Sequence, residues 1–457
     1  TPVADAFRLL GLHPGRDFDD YAAAALTGRA DTLATLVSGH LLDVQDGRYR
    51  MHDLLRTYAR ELVAPSESDE ATARLIDHYV YTASLAMDVA VEYEKDRRPK
   101  ITPPESPTPT FADVAEATAW LEAERANLIA IAPHASARQV GQLSAILHRY
   151  LDNGAYYHEA QLLHAYAARI AEPDAKGAIL CNLGVIFWRL DRPREALDRY
   201  LQALDTGDRS VAVRALNNIG LVDEHLGNYE EALSRFARAA EVADEVGDRP
   251  GRARALDNLG NVTEYLGRYD EALRHKQKAL DIAREIGDVV GEASTLNNLG
   301  NVYERIADHR TALAHYQRAL DIGRRIGHAE IEGHALDNAG SAYRHIGDHA
   351  KAEDHHRRAI DLAREAGNNY LLARALNNFG ETLRHQGDRS AAADAYREAL
   401  AIASSLRELL VQARAHDGIA HCSVDPADAR AHWQQALDIY RQLNAPEAAA
   451  VAAALRG

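Results

Sequence analysis

Histidine is the side chain that exchanges protons near neutral pH, and it is also the commonest metal ligand. The chain has 22 histidines, and the densest group is His345, His349, His355 and His356. At 3.6 residues per turn, adjacent helical side chains point about 100° apart, so neighbouring imidazoles rarely hold one ion. We therefore predict no metal site and interpret this group as solvated surface.

Motifs for other chemistry are missing from the sequence. It contains no H-E-x-x-H, no G-x-S-x-G and no G-x-x-x-x-G-K-[ST] phosphate loop, and its only cysteines are Cys181 and Cys422. Two cysteines are too few for a thiolate metal site or a disulfide framework. We predict no catalytic residues and expect this chain not to be an enzyme.

Asparagine recurs instead, and its spacing reveals the elements that position it. The stretches ALNNIG, ALDNLG, TLNNLG, ALDNAG and ALNNFG begin at residues 215, 255, 295, 335 and 375, forty residues apart each time. A fixed period of this length is typical of a stacked array. Each period has two amphipathic patterns divided by glycine, which predicts hairpins starting near residues 176, 212, 252, 292, 332, 372 and 410. At the fourth corner Ala307 replaces the glycine, and we expect that corner to be altered.

The order of small, aromatic and alanine positions resembles tetratricopeptide repeats in their longer form, over roughly residues 176–443. This resemblance implies a right-handed superhelix, with the first helix of each hairpin on its inner surface. The chain as a whole is predicted to be all-α, with repeats over 142–457 whose first and last hairpins are degenerate.

The recurring asparagines are predicted to line a ligand groove. One column comprises Asn182, Asn218, Asn258, Asn298, Asn338 and Asn378. Charged and polar residues within two helical turns of this column are Arg214, Arg254, Arg374, Asn261, Asn301, Glu264, Arg344 and Arg384. In peptide-binding tetratricopeptide domains such amides hydrogen-bond the backbone of a bound chain, and a primary amide both donates and accepts. The alternative is that each asparagine only packs and hydrogen-bonds between neighbouring helices.

The groove is acidic in its early repeats and basic in its later ones, which suits a partner of mixed charge. A bound peptide would lay its backbone against Asn258, Asn298 and Asn338. Its side chains would be selected by Arg254, Glu264 and Arg344.

Residues 1–65 have a different pattern. Three short helical stretches (4–12, 19–26 and 31–38, with Asp31 as N-cap) precede a β-hairpin around Asp46-Gly47 and a helix from Asp53 to Val63. Helices with a small β-wing predict a winged-helix domain. Residues 66–141 are interpreted as a helical connector with a proline-rich loop over Pro99–Pro109.

Within this first segment, Met51-His52-Asp53 and the helix that follows resemble the MHD motif of STAND (NB-ARC-type) signal-transduction ATPases. Trp120–Leu128 resembles the connector of bacterial STAND regulators of the antibiotic-pathway type. The resemblance implies that His52 contacts the β-phosphate of ADP and that Asp53 caps the helix. Because this chain has no phosphate loop, we expect no cofactor in it alone. ADP or ATP is expected in a longer protein, bound with an upstream nucleotide-binding module in cis.

Charge and hydropathy limit the partners. The net charge is -16, and residues 1–65 hold seven arginines and nine acidic residues, which gives -2. Direct nucleic-acid binding is therefore not expected. No apolar run reaches the roughly 18 residues of a membrane span, so we expect a cytoplasmic protein with no membrane contact. The chain starts at Thr1 rather than Met, and we expect it to be part of something longer.

These observations predict the sensor region of a STAND ATPase. Its repeats would bind a protein or peptide signal and control a nucleotide-dependent switch in transcription or defence, with oligomerisation on activation as a further expectation. Two alternatives stay open: a stand-alone adaptor that scaffolds protein partners, and a winged-helix DNA-binding regulator.

Overall fold

The computed structural model describes residues 1–29, 31–92, 95, 98–443 and 445–456. These residues form 23 α-helices and one two-stranded sheet, so the predicted all-α repeat fold is confirmed. The chain divides into two compact units, residues 1–227 (unit 1) and 228–457 (unit 2). Within the described ranges no helix is both long and apolar enough to cross a membrane.

Unit 1 opens with the helices and hairpin expected of its first 65 residues. They are α1 Pro2–Leu10, α2 Asp20–Thr27, α3 Leu33–Ser38, β1 Asp43–Gln45, β2 Arg48–Arg50 and α4 Asp53–Glu61. The strands pair antiparallel with Val44 opposite Tyr49. Asp46 and Gly47 take positive φ values of 50° and 75°, as a two-residue hairpin turn requires.

The predicted cap at Asp31 is wrong. Helix α3 begins at Leu33 after Thr32, and Thr32 makes no side-chain capping bond. The Asp31 carboxylate accepts instead from the Arg29 guanidinium, with Nε at 2.6 Å. The neighbouring arginine thus competes successfully for the carboxylate that would have capped the helix.

The rest of unit 1 leads into the first repeats. Its helices are α5 Pro65–Ala90, α6 Val114–Ala130, α7 Ala137–Asn153, α8 Tyr157–Ile170, α9 Pro173–Arg189, α10 Pro193–Leu204 and α11 Arg209–His225, with a short 3-10 helix over Ala132–His134. One continuous hydrophobic core extends from Ala6 in α1 to Ile186 in α9. The N-terminal segment, the connector and the first hairpins therefore share a core.

Unit 2 is a series of helical hairpins. Its helices are α12 Tyr229–Val246, α13 Arg249–Tyr265, α14 Tyr269–Ile286, α15 Val289–Arg305, α16 His309–Ile326, α17 Ala329–Ile346, α18 His349–Glu365, α19 Asn369–Gln386, α20 Arg389–Leu406, α21 Leu409–Cys422, α22 Pro426–Gln442 and α23 Glu447–Ala454. We call α13, α15, α17, α19 and α21 the first helices of their hairpins. Their second helices are α14, α16, α18, α20 and α22.

Most first helices start three residues before the predicted positions, for example at 249 and 289 rather than 252 and 292. The reason is an aspartate cap. Asp248 and Asp288 accept from the backbone N–H groups of Gly251 and Gly291, both at 2.9 Å. The apolar stripe begins only after this capped turn, so periodicity alone places the start too late.

The expected alteration at Ala307 is not found. Ala307 has φ 62°, the left-handed conformation that glycine adopts at the equivalent Gly347. The bonds also match, since Ala307 N–H donates to Glu304 O at 3.0 Å and Gly347 N–H donates to Arg344 O at 3.0 Å. The corner keeps its geometry, and the alanine bears the steric cost of a β-carbon there.

Close packing within each hairpin uses a glycine of the first helix. A β-carbon on Gly300 would overlap the ring of Tyr316, and one on Gly340 would overlap the ring of His356. The second helix presents Phe236, Lys276, Tyr316, His356 and Tyr396 at this forty-residue position. The position is buried in each case, whatever its polarity.

Candidate functional site

The predicted asparagine column forms hydrogen bonds between successive repeats of unit 2. Asn298 Nδ2 donates to Asp257 Oδ2 at 2.8 Å, and Asn338 Nδ2 donates to Asn297 Oδ1 at 3.0 Å. In the next repeat, Asn378 Nδ2 lies 3.0 Å from both carboxylate oxygens of Asp337. In every case the acceptor lies 41 residues earlier. We call these bonds the ladder; they are the contacts expected from the alternative in which the asparagines join neighbouring helices.

The remaining members of the column are placed less uniformly. Asn182, in unit 1, is buried and donates to the backbone oxygen of Ser144 at 3.4 Å. Asn258 is also buried, whereas Asn218 is half-buried. That these amides contact a ligand backbone stays a prediction.

Asp337 is the most highly connected residue of the ladder. Its fully buried carboxylate lies 3.2 Å from His356 Nδ1 and accepts from Arg374 at 3.0 Å, besides its bonds with Asn378. Burial alone would raise the pKa of Asp337. The hydrogen bond from His356 and the charge of Arg374 outweigh burial and hold the pKa well below its usual range.

A second buried polar group lies two hairpins earlier. Lys276 is fully buried, and its Nζ donates to Asn261 Oδ1 and lies 3.8 Å from Asp257 Oδ1. The predicted groove residue Asn261 therefore serves as a hydrogen-bond acceptor inside the array. The long aliphatic stem of Lys276 takes the space that Tyr316 fills in the next hairpin.

Two cavities of unit 2 lie along the first helices, and we call their combined lining the groove. The first has a volume of about 440 Å³ and is lined by Glu264, Asn301, Glu304, Arg305, Tyr316, Asn338, Ser341, His345, Tyr370, Arg374, Asn378 and Arg414. The second, of about 390 Å³, is lined by Arg344, Asn377, Asn378, Glu381, Arg384, Tyr396, Arg414, Asp417, Gly418, His421, Tyr440 and Glu447. The structure thus brings together seven predicted residues: Glu264, Asn301, Asn338, Asn378, Arg344, Arg374 and Arg384.

Other predicted residues lie elsewhere. Asn298 lines a neighbouring cavity with Asn297 and His334, and that cavity shares Asn301 and Arg374 with the first cavity of the groove. Arg254 is exposed on α13. Arg214 belongs to unit 1, where its guanidinium donates to the backbone oxygen of Ala178. These three do not share the groove with the residues above.

The charges of the groove are more evenly mixed than the sequence suggests. Arg344 pairs with Glu381 at 3.1 Å, and Arg414 lies 3.5 Å from Glu447. In the early repeats Arg305 lies 3.8 Å from Glu264. Positively and negatively charged side chains therefore both line the groove. Charged groups of a ligand would compete with these internal ion pairs.

Sequence reasoning missed the tyrosines of the groove. Tyr316 and Tyr396 come from second helices and reach the cavities beside the glycines Gly300 and Gly380. Tyr316 also donates from its hydroxyl to Asn301 Oδ1 at 2.9 Å. The forty-residue recurrence of an aromatic residue opposite a glycine is the signal that could have identified them.

His52 has a local structural role at the start of α4, and its contact with ADP stays a prediction. His52 is the N-cap of α4: its Nδ1 accepts from the Leu54 N–H at 3.3 Å, and Asp53 is the first helical residue. The expectation that Asp53 caps the helix is therefore wrong, because the imidazole occupies the capping position. The side chain of His52 is otherwise exposed.

The histidines that are densest in sequence point to different partners. His355 Nδ1 donates to the Lys351 carbonyl oxygen at 2.9 Å, while His356 faces Asp337 inside the array. This separation is the one that helical geometry gives to adjacent residues. The interpretation of the group as solvated surface is wrong for His356, which is fully buried because its ring packs against Gly340 and faces Asp337.

Comparison with known proteins agrees with this architecture. The tetratricopeptide repeat family model matches residues 211–285, 262–325 and 330–405. Regulatory protein AfsR of Streptomyces coelicolor is 32% identical over 263 residues, and that of Streptomyces griseus is 32% identical over 264. Each alignment covers 52% of this chain, which spans only 26% of the length of either relative.

Solved structures extend the likeness in fold. A STAND protein with a tetratricopeptide repeat sensor from Pyrococcus horikoshii aligns with a TM-score of 0.64 at 16% identity, over 97% of this chain and 63% of its own. The apo quorum sensor NprR from B. thuringiensis aligns with a TM-score of 0.53 at 15% identity, over 78% and 97% of the two chains. A Rap protein in complex with competence and sporulation factor aligns at 0.50 with 16% identity, over 70% and 96%. The chain thus carries tetratricopeptide repeats, is similar over about half of its length to the AfsR regulatory proteins, and shares its fold with a STAND protein that has a repeat sensor.

Proposed function

We propose that unit 2 is the sensor region of a regulatory protein and binds a polypeptide signal of mixed charge in the groove. The observation that carries this proposal is the composition of the two cavities. Each contains arginines, carboxylates and at least one tyrosine, and the first cavity draws residues from five successive first helices. Such a lining offers ion pairs, hydrogen bonds and aromatic contacts along an extended path.

The relatives support this proposal. The sequence likeness is to regulatory proteins, and the fold is shared with a quorum sensor and with a Rap protein that binds competence and sporulation factor. Repeat regions of this kind are interaction modules in general. We extend that general role to the groove of this chain.

The charged side chains would provide selectivity, and the ladder would hold them in place. Because the amide groups of Asn298, Asn338 and Asn378 already donate to the preceding repeat, they set the spacing of the first helices. Arg384 and Arg414 line the second cavity and would meet carboxylates of the ligand. Glu264, in the first cavity, would meet a lysine or an amino terminus.

A selection of displayed random short peptides tests the proposal. The full chain would be the bait, and Arg384→Glu would take no part in the selection but would be tested afterwards with the enriched peptides. We expect enriched peptides that carry acidic residues and bind the Arg384→Glu chain at least about tenfold more weakly, roughly 1.4 kcal/mol. If no peptide is enriched, or if the enriched peptides bind both chains equally, the groove proposal is wrong.

We further propose that in a longer protein His52 contacts the β-phosphate of ADP held by an upstream nucleotide-binding module. The support is the tautomer set by the cap. Because Nδ1 accepts from the Leu54 N–H, the neutral ring carries its proton on Nε2, which is the atom free to donate to an anion. The start of α4 adds positive potential from its backbone N–H groups.

Two variants separate this role from capping. We expect the chain of 457 residues to show no micromolar ADP binding by calorimetry, since a single histidine cannot replace a phosphate loop. In the longer protein, both His52→Ala and His52→Asn should release ADP faster, although asparagine is a good N-cap. If His52→Asn retained ADP like the wild type, capping would explain the residue and the phosphate contact would be excluded.

A further inference from the structure

One group of side chains in unit 2 has the donors and geometry of a metal site. Glu304 lies near the end of α15, His309 begins α16, and His345 lies near the end of α17. One ligand atom from each lies within 4.8 Å of the other two. Three helices of two successive hairpins therefore converge on one point.

The distances suit a small divalent cation. His309 Nδ1 lies 3.0 Å from Glu304 Oε1, and His345 Nδ1 lies 2.9 Å from Glu304 Oε2. With metal–ligand bonds of about 2.0–2.1 Å, ligand atoms of a tetrahedral site lie roughly 3.3 Å apart. The two histidine–carboxylate separations, each to a different oxygen of Glu304, are within a few tenths of an ångström of that value.

The two imidazoles are already arranged as a pair. Their ring centroids are 4.5 Å apart with an interplanar angle of 29°. Glu304 is the most shielded of the three, with 16% of its side chain exposed, against 26% for His309 and 38% for His345. The Glu304 carboxylate is thus held in place, while the more exposed His309 and His345 leave the site open to an entering ion.

The next hairpin supplies a natural comparison. His349 and His385 repeat the pair forty residues on, with centroids 6.5 Å apart and an interplanar angle of 12°. The residue that corresponds to Glu304 there is Arg344, whose guanidinium pairs with Glu381. The second pair therefore has a cation where the first pair has its carboxylate.

We propose that Glu304, His309 and His345 bind Zn²⁺ or a similar borderline divalent cation and so join two successive hairpins. Two imidazoles and one carboxylate form a donor set that zinc uses when a fourth position is left open. On binding, each neutral ring moves its proton from Nδ1 to Nε2 and offers the Nδ1 lone pair to the metal. Glu304 and His345 also line the first cavity, so the open position borders the groove.

Zinc titration of the tag-free full chain against a chromophoric chelator tests this site. We expect one tight equivalent that is weakened in Glu304→Gln, in His309→Ala and in His345→Gln. Each substitution should lower the zinc affinity by more than the roughly 10- to 100-fold that is typical when a residue hydrogen-bonded to a metal ligand is changed. The double variant His349→Ala/His385→Ala is the matched control and should bind zinc like the wild type.

Thermal melts distinguish loss of the site from loss of the fold. Zinc should raise the melting temperature of the wild type and of the double control, since a ligand of the folded state stabilises it. His345→Gln changes the most exposed of the three ligands, so it should melt like the wild type without zinc and gain nothing when zinc is added. Three results would overturn the proposal: no saturable zinc binding, unchanged binding in all three ligand variants, or equal loss in the double control.

Discussion

The two units differ in how far apart along the sequence their hydrogen-bonded polar residues lie. In unit 1, the Arg48 guanidinium bonds Glu124 across 76 residues, and Asn127 donates to the Asp17 carbonyl oxygen across 110. In unit 2, the ladder joins α15, α17 and α19 each to the first helix before it, 41 residues away, as in Asn298 to Asp257. Unit 1 is therefore closed by long-range contacts, whereas unit 2 is built from contacts between neighbours.

This difference predicts two kinds of stability. A core that spans α1 to α9 should be lost as a whole, since its parts depend on one another. A repeat array gains its stability repeat by repeat and interface by interface, so damage can stay local. Substitutions at the two most buried carboxylates measure this contrast.

The largest effect is expected at Glu124, which is fully buried in unit 1. Its carboxylate bonds Arg48, the Tyr79 hydroxyl at 3.0 Å and Asn127 at 2.6 Å. Glu124→Ala removes this acceptor from the buried Tyr79 and Asn127 and leaves Arg48 with Asp17 alone. The loss should cost about 3–5 kcal/mol of unfolding free energy. Hydrogen exchange should show lost protection throughout α1–α9, while the exposed control Glu172→Ala changes little. Loss confined to α6 would mean that unit 1 lacks a shared core.

A slightly smaller and more local effect is expected at Asp337. Asp337→Ala removes the partner of Arg374, His356 and Asn378. The cost should be about 3 kcal/mol, at the low end for a buried pair because 27% of the Arg374 side chain stays exposed. Hydrogen exchange should rise in α17–α19 only, and the exposed control Asp361→Ala should leave it unchanged. A rise spread evenly over all the helices of unit 2 would contradict nearest-neighbour stability.

Acid should weaken unit 1 through its buried histidines. Burial lowers the pKa of His13 to about 3, while the unfolded chain keeps a value near 6.5. The unfolded state therefore binds the proton first, so stability is complete above pH 6.5 and is lost as the pH falls toward 3. His13 alone should contribute about 2 kcal/mol to the loss at pH 5. Urea unfolding should show a smaller free energy of unfolding at pH 5 than at pH 7, and this difference should shrink in His13→Asn. An equal difference in the wild type and in His13→Asn would show that His13 does not titrate this way.

The smallest expected effect has the opposite sign and belongs to one corner of unit 2. Ala307→Gly should stabilise the protein by about 0.5–1 kcal/mol, because glycine tolerates the φ of 62° without a clashing β-carbon. Gly347→Ala, at the equivalent corner, should destabilise by a similar amount. Chemical denaturation of both variants measures these changes in the free energy of unfolding. Destabilisation by Ala307→Gly would show that the corner is unstrained.

The same contrast explains what could be predicted from the sequence. The repeats were accessible because every hairpin places the same small residues at the same interval, as at Gly260, Gly300 and Gly340. The ladder acceptors were also visible as the variable residue of each [AT]-L-[ND]-N stretch. That they face the next repeat is shown only by the structure. Arg48 and Glu124 gave no signal, because no sequence period relates strand β2 to helix α6.

The candidate groove was predicted in part for similar reasons. Arg344, Arg374 and Arg384 lie where helical spacing from the asparagines places them. Tyr316 and Tyr396 come from second helices, so reasoning along the first helices alone could not include them. The approach of His309 to His345 depends on how consecutive hairpins stack, which spacing along one helix does not give.

The most direct measurement combines stability and affinity on two variants, with a peptide enriched by the selection described above as the probe. The ladder variant is Asn298→Ala/Asn338→Ala/Asn378→Ala. The groove variant is Arg384→Glu, and its control is Arg397→Glu on the second helix α20. If the ladder holds the array and the charges bind the ligand, the ladder variant melts several degrees lower but keeps its affinity while folded. The groove variant keeps its melting temperature and loses at least about tenfold in affinity. A ladder variant that melts normally but no longer binds, beside an Arg384→Glu chain that binds as well as Arg397→Glu, would contradict this account.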